Sequence, residues 1–85
     1  MPLFYFDLID GENITEDQAG TDLPDASAAR REATSHIIEA ARDLLPNGGA
    51  ERDISIRVRD QQQDQVLEVS ITFKVHAAPG SEFTQ

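Results

Sequence analysis

Residues 25–45, with the sequence DASAARREATSHIIEAARDLL, decide the fold because they form the longest stretch with helical periodicity in the chain. Asp25 follows Leu-Pro and can cap the first free amide groups of a helix with its carboxylate. Pro46, followed by Asn-Gly-Gly, predicts the end of the helix. Apolar side chains recur every three or four residues and therefore share one face: Ala26, Ala29, Ala33, Ile37, Ala41 and Leu44. This alanine-rich face predicts close packing on a sheet.

The segment before the helix predicts a strand and a short hairpin. Residues 3–9 are mostly aromatic and branched, and both faces of such a strand are largely apolar, which favours an interior position in the sheet. Asp10-Gly11-Glu12-Asn13 predicts a turn, and residues 14–16 predict a short antiparallel return.

The segment after the helix predicts a second hairpin. Apolar and polar residues alternate over residues 53–59 and again over residues 65–75, and the polar loop 60–64 separates the two runs. We expect the residues that face the helix to be the aromatic and branched ones: Phe4, Phe6, Ile54, Ile56, Val58, Leu67, Val69, Ile71 and Phe73. Residues 76–85 lose the pattern and predict a flexible C-terminal tail.

These elements predict an α+β domain over residues 1–75. Its antiparallel sheet has three to four strands in the order β-β-α-β-β, with one long helix packed on one face. The other face of the sheet is expected to contact water.

Composition limits the classes of function. The 85 residues carry a net charge of −9 and no cysteine, so a thiolate zinc site is excluded and a reducing compartment is favoured. Residues 1–25 hold seven acidic residues and no basic one, which disfavours nucleic acid and anionic membranes as partners. We see no signal peptide or membrane-spanning run, and we therefore expect a cytoplasmic protein.

Three motifs carry a resemblance to a known family. The stretches 4–11 (FYFDLIDG), 20–25 (GTDLPD) and 29–33 (ARREA) resemble a family of small bacterial proteins described as a domain of unknown function. The resemblance covers about residues 3–75 and implies no established activity. In layout alone, the chain is also similar to small antitoxin domains that neutralise RNA-cutting toxins.

Acidic side chains near the first turn offer one candidate site. Carboxylates gathered near a glycine turn can bind calcium or magnesium, and five lie in this region: Asp7, Asp10, Glu12, Glu16 and Asp17. The spacing does not match an EF-hand loop. The alternative is that Asp10 and Gly11 form the turn and that Asp7 pairs with an arginine on a neighbouring strand. We predict no metal and no cofactor.

A second candidate lies on the uncovered sheet face. Arg57 and Arg59 share this face of one strand, where Tyr5 and Lys74 can join them. Such a basic and aromatic surface can clamp single-stranded nucleic acid, but cross-strand ion pairing is the simpler use.

The helix offers little chemistry. Arg30 and Arg31 are expected to pair with Glu16, Asp17 or Asp22, and the alternative is that they recognise a partner. The lone His36 lies at the border of the apolar face.

The sequence therefore predicts a non-catalytic module that binds another protein, or a second copy of itself, through an open sheet face or an edge strand. The alternative is an antitoxin-like or nucleic-acid-associated regulator that uses the basic sheet face.

Overall fold

The computed structural model describes residues 1–80. It contains one α-helix and five strands, with a short 3-10 turn, Leu45–Asn47, after the helix. The elements in chain order are β1 (Leu3–Asp10), β2 (Asn13–Thr15), β3 (Thr21–Asp22), α1 (Ala26–Leu44), β4 (Glu51–Arg59) and β5 (Gln65–Lys74). No helix in the described part of the chain is long and apolar enough to span a membrane.

The strands form one antiparallel sheet in the spatial order β2-β1-β4-β5. β2 and β3 both pair with the outer edge of β1. β2 pairs with the end of β1 and β3 pairs with its start. β1 is therefore interior, as its two apolar faces predicted. β5 forms the opposite edge of the sheet and pairs only with β4 in the described residues.

The helix begins and ends near the predicted residues. The Asp25 carboxylate accepts a hydrogen bond from the backbone N–H of Ala28 at 2.9 Å, as the predicted N-cap should. The α-helix ends at Leu44, and the 3-10 turn that contains Pro46 follows it. The apolar face packs mainly on β4 and β5, so β1 is less covered.

The core lies between this helix face and the sheet. The nine residues predicted to point inward are all buried or half-buried, which confirms the central prediction of the sequence pattern. The β4 members Ile54, Ile56 and Val58 are at most 3% exposed, because a strand lies on each side of them. Leu67, Val69 and Ile71 on the edge strand β5 pack against the core but stay half-exposed.

Turn chemistry sets the register of the first hairpin. Asp10 pairs with Asn13, which leaves a two-residue loop whose first residue, Gly11, has φ +61°. Glycine adopts this conformation without the steric cost that a side chain brings. The turn predicted at Asp10-Gly11 is confirmed.

The strand count differs from the prediction of three to four strands in β-β-α-β-β order. The additional strand β3 has only two residues, too few to show an alternating pattern, and pairs with Leu3 and Phe4. A β-bulge between Val58 and Arg59 also displaces Val66 from the regular register of β5. The predicted tail begins after the last strand, and its residues 81–85 lie outside the described part of the chain.

Candidate functional site

Asp7 and Arg59 form the main ion pair of the uncovered sheet face. Asp7 is only 6% exposed. Its Oδ2 accepts from Arg59 Nε at 2.6 Å and its Oδ1 accepts from Arg59 Nη2 at 2.9 Å. The strand register sets Asp7 directly opposite Arg57, so Arg59, two residues further along β4, contacts Asp7 diagonally across the two strands. Hydrogen bonding to Arg59 lowers the pKa of Asp7 and outweighs the opposing effect of burial.

Asp17 fills a gap in the edge of the sheet between β2 and β3. Its Oδ2 accepts from the backbone N–H of Phe6 at 3.1 Å, where no strand reaches β1. Its Oδ1 accepts from the N–H groups of Ala19 and Gly20, and its own N–H donates to Asp7 Oδ1 at 3.0 Å. Burial raises the pKa of Asp17, but the three N–H donors outweigh it and hold that pKa below its ordinary value. The carboxylate thus replaces a strand at this point of the edge.

Tyr5 packs within the same network and is not a free stacking platform. The guanidinium carbon of Arg59 lies 5.0 Å from the centre of the Tyr5 ring. Gly20 approaches the ring so closely that a Cβ there would lie 3.0 Å from Tyr5 Cε1. The ring is therefore held by neighbours of the same chain.

The remaining two predicted surface residues have different surroundings. Arg57 Nε lies 3.6 Å from Glu68 Oε1 on the neighbouring strand, which makes a cross-strand ion pair, but this buried nitrogen has no hydrogen-bond partner among residues 1–80. Lys74 pairs in register with Glu51, six residues along β5 from Glu68, which is roughly 20 Å at 3.3 Å per residue. The structure brings Tyr5, Arg57 and Arg59 together, but Lys74 does not join them.

Arg52 and Asp10 form a second ion pair, on the helix side of the sheet. Arg52 Nε donates to Asp10 Oδ1 at 2.9 Å, and Arg52 Nη1 donates to the carbonyl of Leu44 at 3.0 Å. This arginine therefore ties the end of β1 to the last turn of the helix, where a cation also complements the helix dipole. Its hydrogen bond lowers the pKa of Asp10. This pair was not predicted from the sequence. The signal that was available is that Arg52 lies two residues before Ile54, so both side chains point to the helix side of β4.

The three aspartates considered for metal binding have separate structural partners. Asp7 and Asp10 pair with arginines on opposite faces of the sheet, and Asp17 accepts backbone hydrogen bonds. Residues 1–80 contain no group of three or more acidic or histidine side chains arranged to hold a metal ion. The Asp7–arginine pairing expected from the sequence is confirmed.

The exposed helix face does not form the expected ion pairs. Within residues 1–80, neither Arg30 nor Arg31 pairs with an acidic side chain, and the expectation for Glu16, Asp17 or Asp22 is wrong. Arg31 donates instead to Ser27 Oγ one turn earlier, because i,i+4 side chains are neighbours on a helix.

His36 lies at the border of the helix face, as expected. Its ring meets Phe6 edge-on, with centroids 5.1 Å apart, and its Nε2 lies 3.3 Å from Glu32 Oε2. These contacts are those of a packing residue.

The outer edge of β5 is the longest strand edge without a partner strand among residues 1–80. The strand has ten residues and no partner strand on its outer side within this range. The N–H of Val75 donates to the carbonyl of Ala50 at 2.7 Å, so residue 75 points its backbone toward β4. Because alternate residues of an antiparallel strand point to opposite sides, four residues direct their N–H and C=O groups away from β4: Glu68, Ser70, Thr72 and Lys74.

Comparison with known proteins then identifies the family. The model of a domain of unknown function (DUF6894) matches residues 3–72. The chain belongs to this family. No curated protein and no solved structure matches it. The DUF6894 match includes β1 to β4 and all but the last two residues of β5, so the sheet and its free edge belong to the family domain.

Several acidic residues and one glycine of this DUF6894 domain have structural roles. Asp7, Asp10 and Asp17 hold the sheet together, Gly20 makes room for Tyr5, and Asp25 caps the helix. The sequence predicted binding through an open sheet face or an edge strand, but it did not identify β5 as that strand, since strand order depends on tertiary pairing. The signal that was available is a ten-residue run without proline or glycine at the end of the domain.

Proposed function

We propose that this chain is a non-catalytic protein-interaction module that binds an extended strand of its partner along the free edge of β5. The observation that carries this proposal is the row of outward-facing backbone groups on β5, which pair with no other strand among residues 1–80. An unpaired edge is a template for another strand, and several recognition domains bind peptides in this way.

The composition of β5 favours this use of its edge. Natural proteins usually protect an exposed edge with proline, charged side chains, a β-bulge or a very short strand. β5 is long, has no proline or glycine, carries only Glu68 and Lys74 as charges, and has its irregularity near its start, at Val66. The opposite edge is protected, because β2 and β3 have three and two residues and Asp17 fills the gap between them.

The uncovered sheet face offers less to a partner than the edge does. Asp7 neutralises Arg59, and Glu68 lies beside Arg57, so the cations that would attract nucleic acid already have partners. The only tyrosine of the chain packs against Gly20 and Arg59. These contacts support the protein-interaction proposal over the nucleic-acid alternative. The lack of cysteine supports a cytoplasmic location as part of the proposal.

A pair of substitutions at one edge position tests the proposal. Thr72→Pro removes an N–H that faces away from β4, so it blocks strand addition without removing a bond of the β4–β5 ladder. Thr72→Ala keeps that N–H and serves as the matched control. Far-UV circular dichroism establishes that both variants fold.

The measurement is affinity capture by the wild type and both variants from extract of the native cells, with self-association followed in parallel. We expect proteins that the wild type and T72A bind and that T72P loses. Equal capture by all three chains would contradict the proposal. So would the absence of any bound protein, a second copy included.

A further inference from the structure

We infer that the strand bound by β5 is β5 of a second copy, paired antiparallel about Ile71 so that the two sheets become one continuous sheet. This inference rests on the proposed function and names its partner. The direction of the backbone groups, the positions of two charges and the exposure of the edge side chains support this pairing.

The backbone of β5 is compatible with pairing to itself. Hydrogen-bonded pairs must join residues whose N–H and C=O groups face outward on both copies. With Ile71 opposite Ile71, Glu68 faces Lys74 of the second copy and Ser70 faces Thr72 of the second copy. All four are outward-facing residues. Each such pair exchanges two main-chain hydrogen bonds, and the two-fold axis repeats them.

Charge selects this register among those that the backbone allows. A shift that sets Ser70 opposite Ser70 also joins outward-facing residues, but it places Glu68 opposite Thr72 and Lys74 opposite Val66. Only the arrangement about Ile71 sets each Glu68 directly opposite the Lys74 of the other copy. These are the only two charges of β5, and opposite charges directly across a strand pair are stabilising. Within its own chain, Glu68 lies 3.6 Å from Arg57, so it can contact both cations.

The side chains on the helix side of β5 are half-exposed in the single copy. Val69, Ile71 and Phe73 are only half-buried, whereas Ile54 and Ile56 of the neighbouring strand β4 are almost fully buried. In the joined sheet, Val69 faces Phe73 of the second copy and Ile71 faces its own equivalent. The apolar rows of the two copies then continue into each other, and their burial contributes to association.

The symmetry of this pairing limits the assembly to two copies. The same edge is used on both sides of a two-fold axis, so the interface is closed. The outer edges of the joined sheet are then the short strands β2 and β3, which Asp17 interrupts. Growth into a longer sheet is therefore blocked.

Exchanging the charges of β5 tests the inference. In Glu68→Lys, two lysines face each other at both ends of the joined strands, and in Lys74→Glu two glutamates do. In a mixture of the two variants, each lysine faces a glutamate again. Asp53→Lys is the control, because it changes the net charge as E68K does but lies on β4 opposite Thr72, away from the edge. Thermal melts establish that every variant folds.

Sedimentation equilibrium over a range of concentrations, at about 0.15 M salt, gives the dimer dissociation constant. We expect a wild-type mass near twice 9.4 kDa at high concentration. Each charge variant should weaken the dimer by roughly tenfold or more, the equimolar mixture should recover it, and D53K should match the wild type.

Two results would overturn the inference. A wild type that stays monomeric at high concentration rules out self-pairing, while the capture experiment with T72P still decides whether β5 binds another protein. A dimer that E68K and K74E leave unchanged, or whose loss is not recovered in the mixture, uses a different surface or register.

Discussion

The ion pair between Asp7 and Arg59 should be the largest single polar contribution to the stability of the domain. Asp7→Asn keeps the shape of the side chain but removes its charge and turns one acceptor into a donor that faces the guanidinium. The side chains of Asp7 and Arg59 are 8% and 17% exposed, so solvent replaces little of what is lost. Asp53→Asn is a matched control, since Asp53 is exposed and has no ion pair within residues 1–80.

The expected magnitude follows from the hydrogen bonds that the substitution removes. A hydrogen bond to a charged group contributes about 1.5–3 kcal/mol, and we expect D7N to lower the free energy of unfolding by about 2–3 kcal/mol. The total free energy of unfolding of a domain of this length is roughly 4–13 kcal/mol, so the expected loss is a large fraction of it. The melting temperature should fall by roughly 8–24 °C, whereas D53N should change the free energy by less than about 0.5 kcal/mol.

The loss of stability in D7N should also depend on pH. Because the pKa of Asp7 is lowered on folding, its contribution is fully present above the ordinary value of 3.8 and disappears as the pH falls through the lowered value. Urea unfolding at pH 7 and at several values below pH 4 measures this. We expect the difference between the wild type and D7N to narrow in acid. A loss no larger than that of D53N, or one that is constant with pH, would refute the reasoning.

Three further changes test other parts of the structure. Asp25→Ala removes the helix cap and should cost about 1 kcal/mol in urea unfolding, and a cost near zero would argue against the cap. Gly20→Ala should destabilise the domain more than Gly11→Ala, by roughly 1 kcal/mol. Both glycines have positive φ, but only at Gly20 does the added Cβ meet Tyr5, and equal melting temperatures would contradict this. A labelled single-stranded oligonucleotide should not bind at low salt, because the arginines of the sheet face are paired. Binding that weakens steeply with added salt in a fluorescence anisotropy titration would favour the nucleic-acid alternative.

Local chemistry made much of the fold predictable from the sequence. The cap at Asp25 depends on neighbouring residues alone, as does the turn at Gly11. The period-two runs of β4 and β5 predicted their buried faces, because alternation determines which side chains share a face. The family resemblance rested on the same local motifs and is confirmed over residues 3–72.

Long-range pairing explains what the sequence did not predict. The two-residue strand β3 exists only because it meets the start of β1, and Asp17 acts as an edge acceptor only because β2 and β3 leave a gap there. The position of Lys74 depends on the register between β4 and β5, which sets it opposite Glu51 and far from the arginines. The free edge of β5 likewise appears only once the order of the strands is known.

Residue-resolved hydrogen exchange of β5, measured by NMR, tests most directly whether this edge is the interaction surface. In dilute solution, the outward-facing amides of Ser70 and Thr72 should exchange fast, while those of Val69 and Ile71, which face β4, exchange slowly. When the partner strand binds, Ser70 and Thr72 should become as protected as Val69 and Ile71. Amides at Ser70 and Thr72 that still exchange fast when the chain is fully bound would contradict the proposal.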